Sequence, residues 1–299
     1  MDRTTENRGR PEVIDIVVVA YRNDIFLLEI QARSILLNLD SDRIANIYIC
    51  VNDDDSYCSL IDLSWWQNLA DKVTIIPRSQ LGVDISLDGW HSQQLYKLLL
   101  ANQAKSLWSL CLDTKTWFVK NLDWLLWFDD LGKVNLKSFP TIPVFTSAQT
   151  FLENYFQIKN DNVIGPGGVP FMFHTETVKK LCKTVPDFFN FFCTHSKSNI
   201  NLTEFMLYSV YVKKVYNSFS YLYSEKQHYK FCNIADRQVK DFDHIWKSTE
   251  DSRLLTISIQ ERAYPHLSDK QFSIWIEYLK SKKLLAADDP ITKKLNTLR

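Results

Sequence analysis

Leu110-Cys111-Leu112-Asp113-Thr114-Lys115-Thr116 is a short apolar run that ends in a carboxylate, with a lysine two residues further on. Upstream stands Gly89-Trp90-His91-Ser92-Gln93-Gln94-Leu95-Tyr96-Lys97. The pattern predicts a helix from about Trp90 to Ser106 feeding a strand over Leu107 to Leu112. On that helix Trp90, Gln93, Gln94 and Lys97 fall at helical spacing and form one stripe. Two amides and an ammonium beside an indole can hold a ligand's hydroxyls and phosphates, or they can simply be a solvated face. A strand-ending aspartate can orient a ribose or a metal, or it can cap the next turn. Glu204 lies on a further helical segment with Tyr208 one turn later. It can serve as a general base, or it can be an exposed helix carboxylate.

The elements that would position these groups alternate. Val13 to Ala20 is a nearly continuous β-branched run, the pattern of a strand buried on both faces. Asp24 is expected to N-cap a helix running to about Asn38. Strands follow at Ile44 to Val51, closed by Asn52-Asp53-Asp54-Asp55, and at Lys72 to Ile76, stopped at Pro77. Such alternation predicts an α/β fold with a mostly parallel sheet flanked by helices, and ligands at the carboxyl ends of its strands. Those ends carry Tyr21-Arg22-Asn23, Asn52-Asp53-Asp54, Pro77-Arg78 and Asp113-Thr114-Lys115.

The second half is less regular. A strand is expected at Ile142 to Phe145, a helix at Ala148 to Ile158, and a turn at Gly165-Pro166-Gly167-Gly168 leading into Val169 to Phe173. Helices are expected at Thr175 to Thr184, at Asp187 to Thr194 with Pro186 in the first turn, and at Leu202 to Tyr211. A strand at Leu254 to Ile259 and a helix at Asp269 to Lys282 complete the reading. Neither a phosphate-loop signature nor Gly-x-Gly-x-x-Gly after the first strand is present, which disfavours a dinucleotide binder.

Composition narrows the classes. Thirty-five basic residues balance thirty-five acidic ones, so nothing draws the chain as a whole toward nucleic acid. The six cysteines are scattered without zinc-ligand or redox spacing, which predicts reduced, mostly buried thiols and a cytoplasmic location. The N-terminal residues lack the apolar core of a signal peptide, and no apolar run approaches the roughly 20 residues of a transmembrane segment.

Taken together, the pieces resemble a group of GT-A type nucleotide-sugar glycosyltransferases, the capsular-polysaccharide-like group of bacteria and phages known mainly as a domain of unknown function. The resemblance rests on Val17-Val18-Val19-Ala20-Tyr21 with Asp24 beyond, Gly89-Trp90-x-x-Gln93-Gln94-x-x-Lys97-Leu98, and Leu112-Asp113-x-x-Thr116. Pro170, Thr203-Glu204-Phe205-x-Leu207-Tyr208 and Ser258-Ile259-x-x-Arg262-Ala263 continue it. It implies a GT-A (Rossmann-like) domain over residues 11–265, a disordered N-terminus over 1–10 and a C-terminal helical extension over 266–299. It further implies that Ala20, Tyr21 and Asp53 hold nucleobase and ribose, with Trp90, Gln93, Gln94 and Lys97 also on the donor. Asp113 would face the ribose or the metal edge, and Glu204 would be the base.

This chain departs from the group at two positions. Leu-Asp-x-Asp is here Leu112-Asp113-Thr114-Lys115, and Ser-Ile-His is here Ser258-Ile259-Gln260. Both positions ligate the metal in metal-dependent members, so their joint replacement points to Lys115 neutralising the diphosphate in the ion's place. The expectation is a metal-independent glycosyltransferase with no cofactor, Mn²⁺ or Mg²⁺ on Asp113 being the alternative. It would move a sugar from a UDP- or GDP-sugar to a hydroxyl of a glycan or lipid-linked acceptor, in polysaccharide biosynthesis. A non-catalytic descendant that binds nucleotide or glycan is the other reading.

Overall fold

The computed structural model describes residues 9–82, 89–141, 143–159, 163–164, 168–198, 200–224 and 226–299. The turn expected at 165–167, Ile142 and residues 1–8 lie outside them.

The strands are β1 (Ile14–Ala20), β2 (Ile44–Val51), β3 (Val73–Pro77), β4 (Trp108–Asp113), β5 (Trp117–Phe118), β6 (Phe139–Pro140), β7 (Val163–Ile164), β8 (Phe171–His174), β9 (Lys230–Ile234) and β10 (Leu254–Ile259). The α-helices are α1 (Leu27–Asn38), α2 (Gly89–Gln103), α3 (Trp124–Trp127), α4 (Thr146–Phe156), α5 (Thr175–Thr184), α6 (Phe188–Ser196), α7 (Glu204–Tyr216), α8 (Phe242–Trp246), α9 (Asp269–Ser281) and α10 (Pro290–Asn296). The main sheet has the order β3-β2-β1-β4-β8. Its first four strands are parallel and β8 closes the edge antiparallel to β4. Every residue of β1 is buried, as its β-branched run requires of a central strand covered on both faces. Parallel pairing puts the ends of β1, β2 and β4 at one edge, where the helical crossovers begin.

A second, three-stranded sheet, β5-β10-β9, has a core of its own. Residues 266–299 were expected as a helical extension. They carry α9 and α10, which pack into that core, with Trp275 of α9 stacked on Trp117 of β5 at 5.5 Å. α10 is tied back to α1 by the ion pair between Arg33 and Asp289.

Some sequence expectations need correction. Asp24 does not cap α1: it ends a 3₁₀ turn (Arg22–Asp24), and Phe26 occupies the N-cap position. The expected strand before α4 is a 3₁₀ turn over Pro143–Phe145, because Pro143 lacks the N–H that a ladder needs. Asp187 adopts a left-handed conformation (φ 45°), so the following helix starts at Phe188. Glu204 opens α7, where the Thr203 hydroxyl accepts the Met206 N–H at 3.3 Å.

Candidate active site

The turn after β4 is fixed from below. Gln31 is fully buried on α1 and donates to the carbonyls of Asp113 (2.7 Å) and Thr116 (3.1 Å). The Thr116 N–H donates to the Asp113 carbonyl at 2.9 Å, and the Trp117 indole donates to the Thr114 carbonyl at 3.0 Å. These bonds fix the backbone from which Asp113 and Lys115 project. The start of α2 is fixed by Asn52 at the end of β2. Its amide donates to the Gly89 carbonyl at 2.7 Å and accepts the Ser92 hydroxyl at 2.8 Å. The polar stripe of α2 is thereby set against the ends of β1, β2 and β4.

Lys97 projects from that stripe into the interior. Its Nζ lies 2.8 Å from Asp113 Oδ1 and 3.1 Å from Glu204 Oε1. Lys97 and Glu204 are both only 3% exposed. The contact to Glu204 is an aligned hydrogen bond, whereas Asp113 Oδ1 is paired by charge alone. Burial disfavours the ammonium, but the Asp113 and Glu204 carboxylates outweigh it and hold the Lys97 pKa above its usual value. Burial also disfavours the Asp113 carboxylate, yet Lys97 and Lys115 together keep its pKa low. Glu204 faces only Lys97 among the cations acting on it, so burial prevails and its pKa is raised.

Two cavities meet at this triad. The outer one, about 770 Å³, is lined by Tyr21, Asp24, Gly89, Trp90, His91, Gln93, Asp113, Lys115 and the run Gln260-Glu261-Arg262. The inner one, about 380 Å³, reaches Gln94, Lys97, Thr203, Glu204, Phe205, Gln227, Phe231 and Asn233. Trp90, Gln93, Asp113 and Gln260 belong to both. In the outer cavity Asp24 and Glu261 lie within hydrogen-bonding reach of each other. Burial, opposed by Lys115, pushes the Asp24 pKa up to about 6. Among the described residues no group of three or more His, Cys, Asp or Glu is placed to hold a metal.

The structure therefore brings Tyr21, Trp90, Gln93, Gln94, Lys97, Asp113, Lys115 and Glu204 to one continuous hollow. It does not bring Ala20 or Asp53 there. Ala20 is buried in the core and its carbonyl accepts the Asn52 N–H at 2.6 Å. Asp53 faces Arg22 at 3.5 Å. Lys97, expected on the donor, has its ammonium committed to two carboxylates. Reading the sequence also missed Asp24, Glu261 and Gln31 as site residues. Gln31 left no distinctive signal, since Glu29, Arg33 and Ser34 share its segment Leu27 to Leu37.

No protein-family model matches the chain, and no curated protein does. Solved structures do. The galactosyltransferase LgtC, in complex with donor and acceptor sugar analogs, superposes with a TM-score of 0.50 over 94% of this chain and 100% of its own, at 12% identity. The fold is that of GT-A glycosyltransferases. The bifunctional glycosyltransferase WbbM gives 0.49 at 10% identity, with 96% of this chain on 52% of that one. GlyE of Streptococcus pneumoniae TIGR4 gives 0.42 at 13% identity, with 91% on 64%. The hollow lies where open α/β sheets hold their ligands, outside the carboxyl ends of the parallel strands. Among the described residues no helix is long and apolar enough to cross a membrane.

Proposed function

We propose that this protein is a glycosyltransferase that moves a sugar from a nucleoside diphosphate to a hydroxyl of a glycan or lipid-linked acceptor, without a metal ion. One observation carries the reading. Asp113 and Gln260, at the ends of β4 and β10, form a wall shared by a cavity holding two cations and a cavity holding a buried carboxylate. The outer cavity would take the nucleoside diphosphate, with Tyr21 and Trp90 against base and ribose. Lys115 and Arg262 would face its phosphates. Transfer breaks the bond between the anomeric carbon and the diphosphate oxygen and forms one to the acceptor oxygen. Negative charge then grows on the diphosphate, and cations already fixed in place stabilise it without reorganising. Glu204 would take the proton of the acceptor hydroxyl, a role to which a carboxylate of raised pKa is suited. Lys97 would hold Asp113 and Glu204 in position.

The donor set at Asp113 does not suit a hard divalent ion. Its carboxylate is paired with Lys97, Lys115 adds a second cation, and Gln260 offers a neutral amide. Asp24 and Glu261 face each other instead of converging with Asp113 on one point.

The test is a screen of UDP-, GDP-, CMP- and dTDP-sugars for nucleotide release and thermal stabilisation. Slow release from one nucleoside diphosphate sugar supports an enzyme. Stabilisation with no release under any condition would make the chain a binding module, and no response to any donor would end the assignment.

A further inference from the structure

The inner cavity carries more information than its place beside the donor. Gln94 is 2% exposed and lines it, and its Nε2 donates to the Trp90 carbonyl at 3.4 Å. That bond turns Oε1 the other way, where it is buried with no hydrogen-bond partner. A buried carbonyl oxygen left in that state costs free energy until something donates to it. The Asp113 Oδ1 is likewise without a hydrogen bond, and Glu204 adds a second carboxylate. The charged groups of this floor are thus two carboxylates around one ammonium, and the remaining polar lining (Gln93, Thr203, Gln227, Asn233 and Gln260) is uncharged. Lys97 is the one cation among the described lining residues, and its ammonium is held at 2.8 and 3.1 Å by the two carboxylates. The floor as a whole carries one net negative charge. Above it stand Phe145 and Phe231, apolar faces suited to the C–H side of a pyranose ring.

We infer that the inner cavity is a subsite for an uncharged pyranose, which donates a hydroxyl to Gln94 Oε1, and that it rejects sugars bearing a carboxylate or phosphate. A hydroxyl can donate to the orphaned oxygen. A carboxylate or phosphate only accepts, so at Gln94 Oε1 it would leave that oxygen unpaired, and against the two carboxylates it would find no free cation in the cavity lining. The inference rests on the glycosyltransferase reading and adds the class of sugar to it. That sugar comes either from the donor or from the acceptor, and both present the same chemistry.

The experiment measures dissociation constants by calorimetry for matched pairs differing in one charge. UDP-glucose against UDP-glucuronic acid, UDP-galactose against UDP-galacturonic acid and GDP-mannose against GDP-mannuronic acid test the donor arm. The methyl glycosides and methyl uronides of the same sugars, added with saturating UDP or GDP, test the acceptor arm. In the arm that fills the cavity, the charged member is expected to bind at least about a hundredfold more weakly, the order expected of one unpaired like charge at close range inside a protein. Gln94→Leu should weaken the neutral sugar about tenfold. Glu204→Gln, which removes the floor's net charge, should shrink the discrimination by about a hundredfold, leaving the two members of a pair nearly equal.

Equal or tighter binding of the charged members overturns the inference, and so does UDP or GDP binding with no sugar preference in either arm. Failure of UDP and GDP themselves to bind sinks the glycosyltransferase reading instead, so the two failures are distinguishable.

Discussion

Lys97→Met removes the ammonium between Asp113 and Glu204 while filling nearly the same volume. The two carboxylates then share a buried space with no cation between them. Breaking a buried ion pair from one side costs about 3–5 kcal/mol, and Lys97 serves two partners at 2.8 and 3.1 Å, so the upper half of that range is expected. For a chain of this size the melting temperature should drop by roughly 8–20 °C. The loss must depend on pH. Without Lys97 the folded-state pKa of Glu204, already raised, rises further above its unfolded value. A folded group with raised pKa is most favourable below its unfolded pKa and loses stability as pH climbs through the folded one. The deficit should therefore shrink as pH falls toward the ordinary glutamate range. Adding Glu204→Gln should recover much of it at neutral pH, because Asp113 alone still faces Lys115. Urea denaturation of the single and double variants across pH measures all three effects. A Lys97→Met variant within about 1 kcal/mol of wild type at every pH would refute the buried triad.

Three further outcomes are expected. Glu204→Gln should lower kcat by roughly a hundredfold or more while leaving donor affinity near normal, a split that steady-state kinetics separates from simple misfolding. Lys115→Ala should weaken nucleoside diphosphate binding by about 1.5–3 kcal/mol and leave binding of the bare nucleoside unchanged, as calorimetry can check. Asp24, whose pKa stands at about 6 against an ordinary 3.8, binds its proton more tightly folded than unfolded. Its contribution is full below the ordinary value and is lost as pH rises through about 6, by at most about 3 kcal/mol. Asp24→Asn should flatten that part of the pH–stability curve, and an unchanged curve would show that Asp24 titrates normally.

Much of the framework was legible in the sequence because it depends on local patterns. β2, α5 and β10 fall on the expected residues, and the stripe Trp90, Gln93, Gln94, Lys97 does line one hollow. The second sheet was not legible: β5 is two residues long, and its partner β10 lies more than 100 residues away in the chain. The fate of Lys97 was hidden for the same reason. A stripe at helical spacing says which side chains share a face, not that a carboxylate 107 residues later will bury one of them. Asp24 looked like a cap because it precedes a helix. The intervening 3₁₀ turn displaces it into the outer cavity, and only the tertiary structure shows Glu261 beside it.

The central claim is sugar transfer without a metal, and turnover of the best donor in EDTA tests it most directly. With nucleotide release followed continuously, the account predicts the same rate in EDTA as in untreated enzyme, and no gain when Mn²⁺ or Mg²⁺ is restored. Activity that vanishes in EDTA and returns with Mn²⁺ would place an ion on Asp113 and contradict the account.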